Sequence, residues 1–332
     1  MIRDTPEDVL FPALEPYDQG MLAVGDGHCI HYEQCGNPQG IPALFLHGGP
    51  GSGCMSQHRR FFDPAEYRIV LFDQRGCGRS TPRGSIHHND TAHLLADIER
   101  LRLHLAIAGW LVFGGSWGSS LALAYAAEYT QRCLGLILRG IFLTGKSDLE
   151  WFFQQSAQLL PEEWAQFSAV APRQQRGHLL RYCEQTIHGA EPERARASVL
   201  AWSRYEDAVL RFGSAVPAPP AVPPEAELPR LLDKYRIQSY YLSRQCFLGE
   251  ARLLHLASRC DTLPTAIVHG RLDLVCRPAN AWRLHRAISG SRLRMIERGG
   301  HSPFDAELAA ALLAAGDCFV RHGDFHAWSD RP

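Results

Sequence analysis

Charge of one sign is missing as a surplus: 34 lysines and arginines stand against 35 aspartates and glutamates, the net charge is −1, and no run of like charges breaks the balance. A nucleic acid or a membrane surface selects a basic excess or patch, so neither is expected as a partner. Long apolar runs are missing too. The stretch from Leu308 to Ala315 falls far short of the ~20 residues that cross a bilayer. Met1 to Leu10 carries Arg3, Asp4, Glu7 and Asp8 in place of the apolar core of a secretory signal, and the expected location is cytoplasmic. The ten cysteines form no C-x-x-C pair and no metal-ligand spacing; in a reducing compartment most are expected to be small buried hydrophobes. No internal repeat occurs.

What is present is an ordinary globular composition, 45% hydrophobic and 21% charged, which excludes a highly charged disordered chain. At roughly 150 residues per domain, 332 residues make two modest domains or one large one with an insertion. Short aliphatic runs end in glycine-rich turns and are followed by helical spacing. Ala43–Leu46 runs into His47-Gly48-Gly49-Pro50-Gly51, and Arg68–Phe72 into Asp73-Gln74-Arg75-Gly76. Leu94, Leu95, Ile98, Leu101 and Leu105 form a helical stripe; Trp110–Phe113 reads as a strand, Gly118–Tyr129 as a helix, and Leu134–Leu138 as the next strand. The rhythm resumes with Pro264–Val268 and Leu293–Ile296. Such alternation predicts an α/β fold, with a mostly parallel central sheet and helices on both faces. Residues 141–250 break the pattern with Trp, Phe, Gln, Glu and Arg and with amphipathic segments such as Leu149–Leu160, so a helical cap is expected between core segments 1–140 and 251–332. Within it, Val216–Pro229 holds six prolines and is expected to be an extended connector.

The turns carry the chemistry. Gly114-Gly115-Ser116-Trp117-Gly118 satisfies G-x-S-x-G between a predicted strand and a predicted helix, where a strained turn would lift Ser116 above the sheet. A serine hydroxyl needs a base, and the base needs a carboxylate to orient it. In this fold class the acid precedes the histidine in the chain. Asp273, in His269-Gly270-Arg271-Leu272-Asp273, and His301, in Glu297-Arg298-Gly299-Gly300-His301, both follow predicted strands, where an open parallel sheet places its site. His87, His88 and His188 have no such context and are expected to be solvated or structural. The loop His47–Gly51 lets backbone amides approach a ligand, and the amides of Gly49 and Trp117 are expected to form the oxyanion hole, worth about 3 kcal/mol per donor in a comparable enzyme. Cys77 and Cys276 lie near these segments, which predicts sensitivity to mercurials.

Together these motifs resemble the proline iminopeptidases of the α/β-hydrolase superfamily. The likeness runs from Gly36-Asn37-Pro38 and HGGPG through Asp73–Ser80, Gly114–Ser119 and Arg139-Gly140-Ile141-Phe142 to Val268–Asp273. It implies a serine exopeptidase that releases N-terminal proline, without metal or organic cofactor, from a peptide or small-molecule substrate with a free N-terminus. It also implies that the charges of Asp73–Ser80 are structural. Glu206, in Trp202-Ser203-Arg204-Tyr205-Glu206, then matches the amine anchor, and Phe142 and Phe152 match the walls of a ring pocket. An ammonium–carboxylate pair at 4 Å and an effective dielectric near 20 is attracted by about 4 kcal/mol before desolvation. Two positions depart from the pattern. Gln238 stands where the family has a second carboxylate, and Leu242 where a pocket phenylalanine is expected. Gln238 can accept a hydrogen bond but supplies no charge, so weaker amine binding follows. That departure keeps an esterase or amidase with another acyl substrate as the alternative; a non-catalytic ligand-binding protein on this scaffold is the third reading.

Overall fold

The computed structural model describes residues 9–212 and 223–328. Eight strands form one sheet: β1 (Asp18–Gly25), β2 (His28–Gly36), β3 (Ile41–Leu46), β4 (Tyr67–Phe72), β5 (Trp110–Gly115), β6 (Cys133–Arg139), β7 (Thr265–Gly270) and β8 (Arg292–Ile296), in the spatial order β1-β2-β4-β3-β5-β6-β7-β8. β2 is antiparallel to both β1 and β4, while every neighbouring pair from β4 to β8 is parallel.

Period-two alternation splits each central strand between two cores. Leu44, Leu46, Val70, Phe72, Leu136 and Leu138 face one side, beneath the helices Thr91–His104, Trp117–Glu128 and Pro278–Ala287. Ala43, Phe45, Leu71, Phe113, Ile137 and Val268 face the other, against the helix Ala306–His322. Register then sets the active edge. Gly115 pairs with Arg139, Arg139 with Val268, and Gly270 with Ile296, so the loops leaving β5, β6, β7 and β8 emerge side by side.

Between β6 and β7 the described residues hold helices and 3₁₀ turns and no strand. The segment Leu149–Leu160 does not run as one helix. Helix Lys146–Phe153 stops at Gln154, and a 3₁₀ turn follows over Gln155–Gln158. The cause is tertiary: Ser156 Oγ and Tyr205 Oη lie 2.9 and 3.1 Å from the Phe152 carbonyl and 2.5 Å from each other, so the two hydroxyls share their two hydrogens among these three contacts. The first half of the proline-rich connector, residues 216–222, lies outside the described residues. Its end is not extended, because Glu225–Glu227 forms a 3₁₀ turn and Pro229 sits in the first turn of helix Leu228–Leu242, where its missing N–H is no loss.

Candidate active site

Ser116 caps the helix Trp117–Glu128 at φ 57°, ψ −125°, a region that side-chain-bearing residues seldom occupy. The turn is tight enough to demand its glycines. A Cβ at Gly114 would stand 2.2 Å from the Gly118 carbonyl oxygen, and one at Gly118 would stand 2.1 Å from that of Leu46. The amides that open a helix have no acceptor within it, so the Trp117 N–H leaves the turn beside the serine carrying the positive end of the helix dipole. The Trp117 side chain points elsewhere, its indole donating to Gln74 Oε1 at 2.9 Å.

His301, on the loop after β8, donates from Nδ1 to Asp273 Oδ2 at 2.7 Å. The other oxygen of Asp273 accepts the amides of Val275 and Cys276 at 2.9 and 2.8 Å. Burial alone would raise the Asp273 pKa, but His301, His269 and the Cys276 amide outweigh it and hold the group below the usual carboxylate range. His269 braces the loop as a buried neutral ring. Its Nδ1 accepts the Ile141 amide at 3.0 Å and its Nε2 bonds the Cys276 carbonyl at 2.8 Å. Arg139, at the end of β6, donates to the His301 carbonyl at 3.0 Å and stands 3.4 Å from Nε2. The Asp273 contact thus fixes the tautomer, and Nε2 carries the lone pair of a base.

The loops after β3 and β4 are locked to the serine turn. His47 Nε2 accepts the Gln74 amide at 3.0 Å, Gln74 Nε2 donates to the His47 carbonyl at 3.0 Å, and Gln74 receives Trp117 as above. Asp73 accepts the Cys54 amide at 2.6 Å and both the amide and Nε of Arg79 at 2.9 Å. Arg75 grips Asp97 at 2.6 and 2.9 Å with both side chains fully buried. Glu33 joins Arg59 and Arg79 at 2.8 and 2.9 Å. Every buried charge of the Asp73–Ser80 loop is therefore matched, a structural arrangement as its likeness implied.

Ser116, His301 and Gly49 line one cavity of about 670 Å³, together with Phe142, Phe152, Leu242, Glu206 and Gln238. Each catalytic, oxyanion-hole or substrate-pocket residue expected from the sequence reaches this space except Asp273, which stands behind His301, and Trp117, which offers its backbone. The sequence reading missed what holds Glu206. Lys234 Nζ lies 3.3 Å from both carboxylate oxygens, Tyr235 Oη donates at 2.5 Å, and Gln238 Nε2 approaches at 3.3 and 3.4 Å. One signal was available: Lys234 and Gln238 are four apart on a helix and share a face. Gln238 Oε1 is buried with no hydrogen-bond partner among the described residues.

The two cysteines differ. Cys276 lines the cavity, whereas Cys77 is buried outside it with its thiol against the Arg75 carbonyl. Burial first, then Asp273 and Asp148, push the Cys276 thiol well above its ordinary range, against a hydrogen bond with Ser116. A reagent with high intrinsic thiol affinity is therefore required. p-Chloromercuribenzoate is expected to inactivate the wild type and Cys77→Ala alike and to spare Cys276→Ala, as followed by residual activity.

The model of the alpha/beta hydrolase fold family matches residues 42–308. A proline iminopeptidase from Xanthomonas citri is 44% identical over 315 residues, covering 94% of this chain and 99% of that protein. One from Xylella fastidiosa is 43% identical over 314 residues with the same coverage, and one from Arabidopsis thaliana is 40% identical over 313, covering 93% of this chain and 81% of that protein. Among solved structures, an esterase from Exiguobacterium antarcticum superposes with a TM-score of 0.63 at 19% identity, covering 92% of this chain and 100% of that one. An esterase from Rhodococcus gives 0.56 at 18%, covering 94% and 99%. Likeness at that level shows the fold alone.

Proposed function

The chain belongs to the proline iminopeptidase family of the α/β-hydrolases, and from that premise we propose that it is a serine exopeptidase that releases N-terminal proline through an acyl-enzyme. Ser116 Oγ attacks the carbonyl of the N-terminal residue while His301 Nε2 takes its proton, with Asp273 holding the ring. The Gly49 and Trp117 amides receive the developing oxyanion. His301 returns the proton to the leaving amine, and water cleaves the ester by the same base. Residues 141–250 act as the cap that selects the substrate. In it Glu206 takes the secondary ammonium and Phe142, Phe152 and Leu242 enclose the ring.

The observation that carries this reading is that one cavity is lined by the serine, the carboxylate-oriented imidazole and the Glu206 carboxylate. A plain esterase needs the first two and has no use for the third. The ten free thiols fit the cytoplasm, where we place the protein. No helix among the described residues is long and apolar enough to cross a membrane.

The test is a panel of aminoacyl β-naphthylamides against small p-nitrophenyl esters. Prolyl β-naphthylamide is expected to show the highest kcat/KM, and N-acetylation of its proline to lower that value by about 10²-fold or more through loss of the charged pair. A panel led by simple esters, indifferent to acetylation, would favour the second reading. Lys234 supports that reading, since it already places an ammonium on Glu206.

A further inference from the structure

We propose that Asp26, His88 and His93 form a surface site for a divalent transition-metal ion of the zinc class, separate from the hydrolytic chemistry. Asp26 lies in the turn between β1 and β2, His88 just before the helix Thr91–His104, and His93 in that helix's first turn. One ligand atom from each of the three lies within 4.8 Å of the other two.

His93 is held in one orientation by a second carboxylate. Asp90 caps the helix, its Oδ1 accepting the His93 amide at 3.0 Å and meeting His93 Nδ1 at 2.8 Å. The carboxylate accepts, so Nδ1 bears the hydrogen and Nε2 presents its lone pair. That lone pair faces Asp26 Oδ2 at 4.0 Å. A cation between the two satisfies both, and a metal ion there also engages the third ligand, His88, which a proton on Nε2 does not. A carboxylate that orients an imidazole toward a metal is the recurrent outer support of zinc sites.

The other two ligands are also placed from beneath. His88 sits at φ 44° and Asp26 at φ 54°. The His88 carbonyl is held by Arg75 Nη1 at 2.7 Å, leaving its ring on the surface with its centroid 5.8 Å from that of His93. Arg75 Nη1 also reaches Asp26 Oδ2, at 3.1 Å. This contact does not use up Asp26, because Arg75 is already matched by the buried Asp97 and a carboxylate has lone pairs on both oxygens.

Two imidazoles and one carboxylate suit zinc, cobalt, nickel or copper, whereas calcium and magnesium demand oxygen donors. Bonds of about 2.0–2.1 Å at tetrahedral angles put ligand atoms ~3.4 Å apart, so Asp26 and His93 must close by roughly half an ångström. Asp26 and His88 are exposed, so side-chain rotation can supply the closure. Three protein ligands leave a position for water.

Full-length, chelator-treated protein titrated calorimetrically with Zn²⁺ is expected to bind one ion per chain. Co²⁺ is expected to give a visible d–d band, and saturating zinc to raise Tm. His88→Asn/His93→Ala, in which asparagine tolerates the left-handed backbone, is expected to abolish all three. Asp90→Asn keeps a capping oxygen but loses the anionic acceptor, and is expected to weaken zinc about 10–100-fold. Equal zinc affinity and stoichiometry in the folded double variant, or no Co²⁺ band in the wild type, would overturn the site.

Discussion

Ser116→Ala is expected to lower kcat for prolyl β-naphthylamide by about 10⁶-fold while leaving Tm and KM nearly unchanged, the size of loss seen when a comparable triad loses its nucleophile. Stability should hold because the turn's backbone bonds do not run through Ser116 Oγ, whose side-chain contact is the Cys276 thiol. The backbone there is set by the Ser116 amide on the Arg139 carbonyl at 3.1 Å and by Ser119, whose amide and hydroxyl meet the Ser116 carbonyl at 2.9 and 2.7 Å. His301→Ala should cost a similar factor, and combining it with Ser116→Ala should cost little more, since the two act as one unit. Asp273→Asn should cost about 10⁴-fold. The native carboxylate accepts two loop amides on one oxygen and His301 on the other; an amide has a single acceptor oxygen and cannot do both. A fluorophosphonate label on Ser116, absent in Ser116→Ala, checks the assignment independently of substrate. Residual arylamidase activity within tenfold of wild type in purified Ser116→Ala would sink the mechanism.

The parallel half of the sheet was legible because its strands are buried on both faces and read as unbroken aliphatic runs stopped by glycine. The same stops mark the carboxyl edge, so Ser116, Asp273 and His301 could be collected from loops that register later sets side by side. β1 and β2 gave no such signal. β1 alternates between half-exposed and exposed residues, and its Asp-Gln-Gly start has little β character. Interactions between distant segments stayed hidden for a different reason. Tyr205 breaks the helix after Phe153 by capturing the Phe152 carbonyl, and Glu206 meets Lys234 only because the helices Pro192–Leu210 and Leu228–Leu242 pack together. No local pattern encodes such a meeting. His269, which followed a predicted strand, read as part of a motif; its role as a neutral brace between Ile141 and Cys276 depends on partners that only the fold supplies.

The Glu206 cluster yields the second large effect. Glu206→Gln is expected to reduce kcat/KM for prolyl β-naphthylamide by about 10²–10³-fold, as an ammonium in a partly dry pocket loses an attraction of about 4 kcal/mol, less the desolvation it avoids. The wild-type site is already compromised, however. Lys234 Nζ bridges both oxygens of Glu206 at 3.3 Å, and the side chains of the pair are only 22% and 12% exposed. A prolyl ammonium must therefore share the carboxylate with a resident cation, and the like charges repel across a poorly screened space. Removing that cation in Lys234→Met is expected to lower KM by roughly tenfold, or about 1.4 kcal/mol, with kcat little changed because Lys234 does not touch the reacting atoms. Gln238→Glu acts in the same direction by a different route. The native amide donates to Glu206 while its Oε1 is buried without a partner among the described residues, so it can take one substrate N–H without charge. A second carboxylate there would restore the charge balance Lys234 now tips, and Gln238→Glu should raise kcat/KM for the arylamide while leaving acetylated substrate unimproved. If Lys234→Met and Gln238→Glu both leave KM for the free amine where it was, the ammonium does not visit Glu206, and the pocket serves an uncharged acyl group instead.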